Sequence, residues 1–289
     1  MKPSSFEYHA PATVDEALVL LDEHGDDARV LAGGQSLVPL MAMRLSRTEH
    51  LIDLNRIDEL AAIASANGHL TIGAMTRQAT IEHSETVADA VPLLARATPH
   101  IGHFQIRNRG TIGGSLAHAD PASEYPAVAL ALDAELEIQS RSSERRVKAA
   151  DFFEGMWTTS IQANELLTGV RFPVRTAREG FAIDEITRRH GDFALVGAAV
   201  RVGVDESKAV SACGIGLFGV GPTAVRAPEA EAAILGTGQD ADLDEIARLA
   251  VAGLSPPDDI HASGRYRVRV GAVSVRRALT NALEEARNA

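Results

Sequence analysis

Two pairs of adjacent glycines constrain the fold of this chain more than any other feature. They lie in Ala32-Gly33-Gly34-Gln35-Ser36, the first glycine loop, and in Thr111-Ile112-Gly113-Gly114-Ser115, the second glycine loop. A short apolar strand is expected before each pair and a helix after each serine. Glycine permits positive φ angles and close approach of backbone to a ligand, and successive N–H groups in such turns form anion-binding nests. The pattern predicts a diphosphate or dinucleotide held between two loops.

Each loop on its own is also compatible with a plain connecting turn. Neither fits the G-x-G-x-x-G or the G-x-x-x-x-G-K-[ST] phosphate-binding pattern. Two carboxylates follow the second loop, and both have a structural alternative. Asp120 is weighed evenly between the N-cap of a helix beginning at Pro121 and a ligand contact. Glu124 is either a carboxylate in the first helical turn that interacts favourably with the helix dipole or a hydrogen-bond acceptor for a ribose or a flavin.

The pattern of apolar residues predicts an α+β chain that changes character near residue 176. A capping box at Thr13 opens a helix that ends at Gly25, Asn67-Gly68 marks a hairpin, and Thr76 is expected to cap a helix. Expected strands cover residues 29–31, 50–54, 60–66, 69–74, 135–138, 146–147 and 165–172, and expected helices cover 36–43, 76–83, 87–97 and 121–132. After a polar linker, three antiparallel strands (181–189, 194–204, 209–218) precede helices at 227–235, 243–252 and 268–286.

Composition excludes several classes of function. The chain has 289 residues with 28 basic and 39 acidic side chains, a net charge of −11. Nucleic-acid binding needs a basic surface, so this acidic chain is not expected to bind nucleic acid. The single cysteine, Cys213, is too few for an iron–sulfur cluster or a structural zinc site. No apolar run approaches the ~18 residues of a membrane span and the N-terminus lacks a signal-peptide core, so a cytoplasmic protein is expected.

The two glycine segments show a family resemblance. LAGGQSLVPLMAMRL (31–45) and TIGGSLAHADPASEYPA (111–127) resemble the paired signatures of the FAD-binding medium subunit of molybdenum hydroxylases, the carbon monoxide dehydrogenase and xanthine dehydrogenase group. The resemblance covers nearly the whole chain. Further matching stretches are residues 70–74, 188–194, 221–227 and 262–267.

The resemblance implies a fold and its division. Residues 1–176 would form an FAD-binding domain of the vanillyl-alcohol-oxidase (PCMH) type, with two α/β subdomains at about 1–57 and 58–176. Residues 177–289 would form a C-terminal α+β domain with a three-stranded antiparallel sheet and helices.

The resemblance also implies which residues contact FAD. Both glycine loops would hold the pyrophosphate and its neighbouring groups. Ile101, Asp120 and Glu124 would line the site, Ile161 and Leu167 would lie near the adenine, and Phe193 would lie beside the isoalloxazine ring. Many relatives have tyrosine at position 193, and some have lysines where this chain has Glu185 and Thr187, so the flavin potential is not predicted. The expected FAD contacts are Ala32, Gly33, Gly34, Gln35, Ser36, Ile101, Thr111, Gly113, Gly114, Ser115, Asp120, Glu124, Ile161, Leu167 and Phe193.

The implied function is electron transfer within a complex. The molybdenum cofactor would reside on a large subunit and two [2Fe–2S] clusters on a small subunit, in a dimer of heterotrimers. This chain would carry non-covalent FAD and pass electrons to an external acceptor, with no catalytic acid, base or metal of its own. His100, His103 and His118 are interpreted as polar loop contacts rather than flavin attachment points. The alternatives are a self-sufficient FAD oxidoreductase of the same fold and a non-redox binding or assembly protein.

Overall fold

The structure is a computed structural model that describes residues 2–289. It is an α+β protein, as the sequence predicts, and it contains three main sheets. Single turns of 3-10 helix occupy Gly25–Asp27, Asp58–Ala61, Thr98–His100 and Ala149–Asp151. None of the helices between residues 2 and 289 combines the length and the apolar character that crossing a bilayer requires.

The first sheet is small and parallel. Its strands are β1 (Glu7–His9), β2 (Ala28–Leu31) and β3 (His50–Asp53), in the order β1-β3-β2. Helix α1 (Val14–His24) connects β1 to β2, and α2 (Leu37–Ala42) follows β2. The Thr13 hydroxyl accepts a hydrogen bond from Glu16 N at 3.2 Å, so the predicted helix start is confirmed.

The second sheet is antiparallel and has five strands. In sheet order these are β4 (Ile63–Ala66), β5 (His69–Gly73), β10 (Leu166–Pro173), β6 (Glu135–Gln139) and β7 (Glu144–Lys148). A separate two-stranded hairpin consists of β8 (Phe153–Gly155) and β9 (Thr158–Thr159). The predicted hairpin at Asn67 and Gly68 is confirmed, with φ angles of 51° and 75°. Positive φ at both central positions is what a two-residue type I′ turn requires.

Along the chain, six short helices lie between β5 and β6. They are α3 (Gln78–Glu82), α4 (Glu85–Ala90), α5 (Pro92–Ala97), α6 (Phe104–Arg107), α7 (Ile112–His118) and α8 (Glu124–Ala131). The single helix predicted over residues 87–97 is wrong, because Pro92 lacks an N–H and begins a new helix. The predicted Thr76 cap is also wrong. Arg77 occupies the N-cap position of α3, and the buried Thr76 hydroxyl has no hydrogen-bond partner among the described residues.

The predicted helix start at Pro121 is three residues too early. Helix α8 begins at Glu124 with Ser123 at its N-cap position. Asp120 does not cap a helix, because its carboxylate accepts a hydrogen bond from Ala122 N at 2.9 Å and so closes a tight turn that contains Pro121. Pro after an Asx residue suits such a turn as well as it suits a helix start, so the dipeptide alone does not distinguish them.

The third sheet lies in the C-terminal part and is antiparallel. Its order is β11 (Glu179–Ile186), β12 (Val196–Val204), β13 (Val210–Phe218) and β14 (Val225–Arg226). The prediction of three strands misses β14, which at two residues is too short to show an alternating pattern. Helices α9 (Pro228–Ile234), α10 (Leu243–Ala250) and α11 (Gly264–Asn288) complete the chain.

Helices cover both faces of this third sheet. On one face lies α8, and a Cβ added to Gly214 or Gly216 would stand 2.1 Å from a carbonyl oxygen of that helix. On the other face lies α11, where a Cβ on Gly180 would collide with the carbonyl oxygen of Ala282. Every residue of α8 is buried. This helix therefore joins the second and third sheets in one continuous apolar core.

Candidate functional site

The first glycine loop presents a row of free backbone donors. Gly34 adopts a positive φ of 74°, and the loop leads from β2 into α2. Within residues 2–289, none of the five N–H groups of residues 32–36 donates a hydrogen bond to a protein acceptor. The loop is only partly buried. Consecutive free N–H groups of this kind form a nest that fits an anion such as a diphosphate.

The second glycine loop is built differently from the prediction. Its glycines lie inside the first turn of α7 rather than before the helix, and Thr111 is the N-cap. The N–H groups of residues 112–115 all donate within the protein, to Thr76 O (3.1 Å), Ala74 O (2.8 Å), Thr111 Oγ1 (3.0 Å) and Thr111 O (3.1 Å). The prediction that this loop forms a second N–H nest after a strand is therefore wrong.

The glycines bring the two loops into contact with each other. A Cβ added to Gly33 would lie 2.3 Å from Arg109 O, just before the second loop. A Cβ added to Gly114 would lie 3.4 Å from the Ala32 Cβ, and one on Gly113 would lie 2.4 Å from the Ala74 Cβ. Two of the four glycines, Gly33 and Gly113, are thus required by packing of protein against protein. The result is one composite surface formed by both loops, with the free backbone donors on the first loop.

A polar network behind the loops holds this surface together. The Asn55 amide donates to Ala32 O at 3.0 Å and accepts from the Arg77 guanidinium at 2.5 Å. Arg77 also donates to Arg109 O. Asp53 accepts from Asn55 N at 2.9 Å, which fixes Asn55 at the end of β3. No sequence pattern indicates Asn55 and Arg77, because the residues to which they hydrogen-bond in this network lie 22 to 32 positions away.

Arg107 fixes the segment that contains Ile101. Its guanidinium makes a two-point ion pair with Glu82, with N–O distances of 2.7 and 2.9 Å. It also donates to Ile101 O at 3.1 Å and to Gly102 O at 3.2 Å. Arg107 is 8% exposed. One buried side chain therefore sets the path of residues 99–102, and it too was missed from the sequence.

We expect Arg107→Met to lower the free energy of unfolding of the full chain by about 3 kcal/mol, as for other buried ion pairs that lose one partner. The substitution leaves the Glu82 carboxylate and two carbonyls without their donor. Urea denaturation at neutral pH measures the effect. Arg141→Met is the control, because Arg141 pairs with Asp22 on the surface at 3.0 Å and its loss should cost less than about 1 kcal/mol. An equal loss of unfolding free energy in the two variants would contradict the proposed role of Arg107 in holding residues 99–102.

A cluster of acidic groups lies where α8 begins. Glu124 is 7% exposed, and burial raises the pKa of its carboxyl to about 8, with further upward contributions from the charges of Glu185 and Asp120. Glu185 lies on β11, and its carboxylate contacts His100 Nδ1 at 3.0 Å. Glu124 therefore lies in a first helical turn, as one of its two interpretations requires, yet it is buried. The side chain of Glu185 is 2% exposed and is paired with His100, which no sequence pattern indicates.

Asp120 is placed beside an exposed aromatic side chain. Trp157 Nε1 donates to Asp120 Oδ2 at 3.3 Å, and Trp157 stacks on His118 with ring centroids 6.2 Å apart. Burial lowers the pKa of His118, against the opposing effect of the Asp120 charge. Trp157 is 57% exposed, so it is an apolar surface next to a carboxylate that no sequence pattern singled out.

The segment that contains Phe193 folds back onto the loop at residues 100–103. A Cβ on Gly191 would lie 2.5 Å from the His103 ring, and the rings of His103 and His190 are 5.8 Å apart, edge to face. Phe193 is 69% exposed. An aromatic face that is exposed at this position is available to a planar ligand.

The two residues expected near the adenine lie deeper than the others. The Leu167 side chain is 5% exposed on β10 and belongs to the main core. Ile161 is half-buried against the same core. Leu167 is therefore almost inaccessible to a ligand, whereas Ile161 is partly accessible. An open cleft of about 910 Å³ lies elsewhere, around Pro256 and Arg269, and none of the expected flavin contacts lines it.

Comparison with known proteins assigns the chain. A family model described as the FAD binding domain in molybdopterin dehydrogenase matches residues 4–175, and one described as the CO dehydrogenase flavoprotein C-terminal domain matches residues 181–282. The 6-hydroxypseudooxynicotine dehydrogenase complex subunit alpha of Paenarthrobacter nicotinovorans is 44% identical over 99% of this chain and 97% of that protein. The carbon monoxide dehydrogenase medium chain of Afipia carboxidovorans is 38% identical over all of both chains.

A solved structure agrees with these relatives. A chain of the carbon monoxide dehydrogenase from Hydrogenophaga pseudoflava, in a form that lacks the Mo-pyranopterin moiety of its cofactor, superposes with a TM-score of 0.96. Its sequence is 40% identical, and 99% of each chain is covered. The family suggested by the two glycine segments is confirmed. The chain therefore belongs to the family of FAD-binding medium subunits of molybdenum hydroxylases, and it is an oxidoreductase subunit.

Proposed function

We propose that this chain binds FAD non-covalently and relays electrons from the [2Fe–2S] clusters of a partner subunit to an external acceptor. The observation that carries the proposal is the row of five free N–H groups at residues 32–36. Such donors hold a pyrophosphate without a lysine, because hydrogen bonds to an anion are about twice as strong as neutral ones. The protein supplies binding and orientation, while a bound flavin supplies one- and two-electron chemistry.

The remaining contacts follow from the composite surface. Ala32, Gly33, Gly34, Gln35 and Ser36 face the pyrophosphate, with Ser115 and Thr111 opposite them. Gly114 acts by letting the second loop approach the first, and Gly113 by letting the second loop pack against Ala74. Asp120 and Glu124 face the flavin or ribose from the start of α8, Ile101 lies on the segment that Arg107 holds, and Phe193 offers its exposed ring face. Ile161 and Leu167 lie toward the adenine.

Partner subunits supply the other redox centres in this proposal. The relatives named as medium chains and complex subunits support a large molybdopterin-binding subunit and a small [2Fe–2S] subunit. We propose that these assemble as a dimer of heterotrimers. Cys213 supports the same division, because burial raises the pKa of its thiol to about 12 and thiolate is the form that ligates metal. We also propose a cytoplasmic location, and a boundary between the two domains near residue 176.

We expect the purified chain to bind one FAD per chain, with the flavin absorbance near ~450 nm that oxidised flavoproteins share. Acid precipitation should release all of the flavin. Addition of an oxidisable substrate should bleach the flavin only when the partner subunits are present. A chain that stays colourless after FAD addition supports the non-redox alternative. Bleaching of the isolated chain by substrate supports a self-sufficient oxidoreductase, and either result contradicts the relay.

A further inference from the structure

Three histidines converge at the edge of the first sheet, away from the glycine loops. His9 ends β1, His24 ends α1 and His50 begins β3, and all three are half-buried. One ring nitrogen from each lies within 4.8 Å of the others. His9 Nε2 and His50 Nδ1 are 3.1 Å apart, and the rings of His24 and His50 stack with centroids 3.6 Å apart. Two strands and a helix thus bring three imidazoles to one point.

Few other groups compete for these imidazoles. The ring of His24 makes no hydrogen bond within residues 2–289, and the rings of His9 and His50 hydrogen-bond only to each other. A nearby charge is acidic: Glu7 Oε2 lies 3.7 Å from His50 Nδ1, and Glu7 lies opposite His50 on the neighbouring strand. His24 stands at the C-terminal end of an eleven-residue helix, where the helix dipole favours a positive charge.

We infer that His9, His24 and His50 form a binding site for a divalent transition-metal ion of the zinc class. Imidazole suits zinc, copper and nickel, whereas magnesium and calcium prefer oxygen ligands. Zn–N bonds of about 2.0–2.1 Å in a tetrahedral site place ligand nitrogens about 3.4 Å apart. The pair formed by His9 and His50 is close to that spacing. Rotation of the His24 ring out of its stack brings in the third nitrogen, and Glu7 or water completes the shell.

The site is separate from the proposed flavin site. The histidines lie at the start of β3, whereas Asp53 at its end supports Asn55 behind the first glycine loop. A metal here would tie the end of α1 to the β1–β3 pair, two elements otherwise joined through the apolar core. The role of the metal would be structural, and the inference does not depend on FAD binding.

The test is metal binding by the purified full chain after chelator treatment, with Co²⁺ and Zn²⁺ as probes. We expect one Co²⁺ per chain with the intense visible bands of tetrahedral cobalt, displacement of Co²⁺ by Zn²⁺, and a rise in Tm on addition of Zn²⁺. His24→Ala and His50→Gln should each weaken binding more than about 100-fold, because even loss of a second-shell partner costs 10- to 100-fold. His83→Ala, at an exposed histidine elsewhere, is the matched control and should bind as the wild type does.

Metal-free melting curves and the FAD content show whether each variant is folded. His24→Ala removes the side chain least engaged in the apo fold, so it is the variant on which the inference rests. No binding by the wild type, binding that His24→Ala leaves unchanged, or an equal loss in His83→Ala would each overturn the inference. Loss of FAD binding alone would leave the metal result unaffected and would count against the proposed function instead.

Discussion

Replacing Gly33 with alanine is expected to weaken FAD binding by about 1000-fold, or about 4 kcal/mol. The new Cβ would lie 2.3 Å from Arg109 O and 2.7 Å from Gly110 Cα, both of which are backbone atoms. The first glycine loop must therefore move away from the second, and its free N–H groups lose their common direction. Each hydrogen bond to a charged group contributes about 1.5–3 kcal/mol, so misdirecting two of them accounts for the loss.

Fluorescence titration of the chain with FAD measures the effect. Gly155→Ala is the matched control, since a Cβ there meets nothing closer than 3.8 Å and should leave the affinity within about twofold. If the Gly33→Ala chain is folded and binds FAD as tightly as the wild type does, the free N–H groups of the first glycine loop do not hold the pyrophosphate. A melting curve separates loss of binding from loss of folding.

The flavin-free chain is expected to lose stability as pH rises from about 4.5 to about 8, on account of Glu124. Its carboxyl has a pKa of about 8 when folded, against an ordinary value of 4.5. The folded state holds this proton more tightly, so the stabilisation is fully present below pH 4.5 and disappears as pH rises through 8. One such group changes the free energy of unfolding by up to about 1.4 kcal/mol per pH unit in this window, which amounts to a few kcal/mol.

Glu124→Gln isolates this contribution from the other titrating groups. The amide has the shape of the protonated carboxyl and no charge, so the variant should match the wild type near pH 4.5 and exceed its stability near pH 8. Urea denaturation at several pH values gives the difference. Glu85→Gln is the control, because Glu85 occupies the first turn of α4 but is exposed. A difference between Glu124→Gln and the wild type that does not vary with pH would refute the assignment.

Local chemistry explains which parts of the fold were predictable. The Asn67-Gly68 hairpin and the Thr13 cap were correct because their signals involve residues within four positions of one another. The cap at Asp120, one of the two interpretations left open for that residue, was wrong because Asp before Pro is equally suited to a turn. The short strand β14 carries no pattern of its own and forms only where β13 offers an edge.

The proximity of the two glycine loops was predictable from the sequence, but the construction of each loop was not. The two glycine loops were recognised together, yet only the first presents free donors. The glycines of the second loop allow it to pack against Ala74 and Ala32. Whether an N–H group is free depends on acceptors supplied by distant strands, which a linear pattern does not contain. The supporting side chains Asn55, Arg77 and Arg107 were missed for the same reason.

The position of α8 between two sheets has a consequence for dissecting this protein. Ala127 and Ala131 present backbone carbonyls directly to Gly216 and Gly214 of the C-terminal sheet. A fragment truncated near residue 176 would expose one whole side of a helix that has no polar face. The helix also carries Glu124 at its first turn, so such a fragment would alter the proposed flavin site as well as the core. Engineering that swaps C-terminal domains between relatives must therefore carry α8 and its glycine partners together as one module.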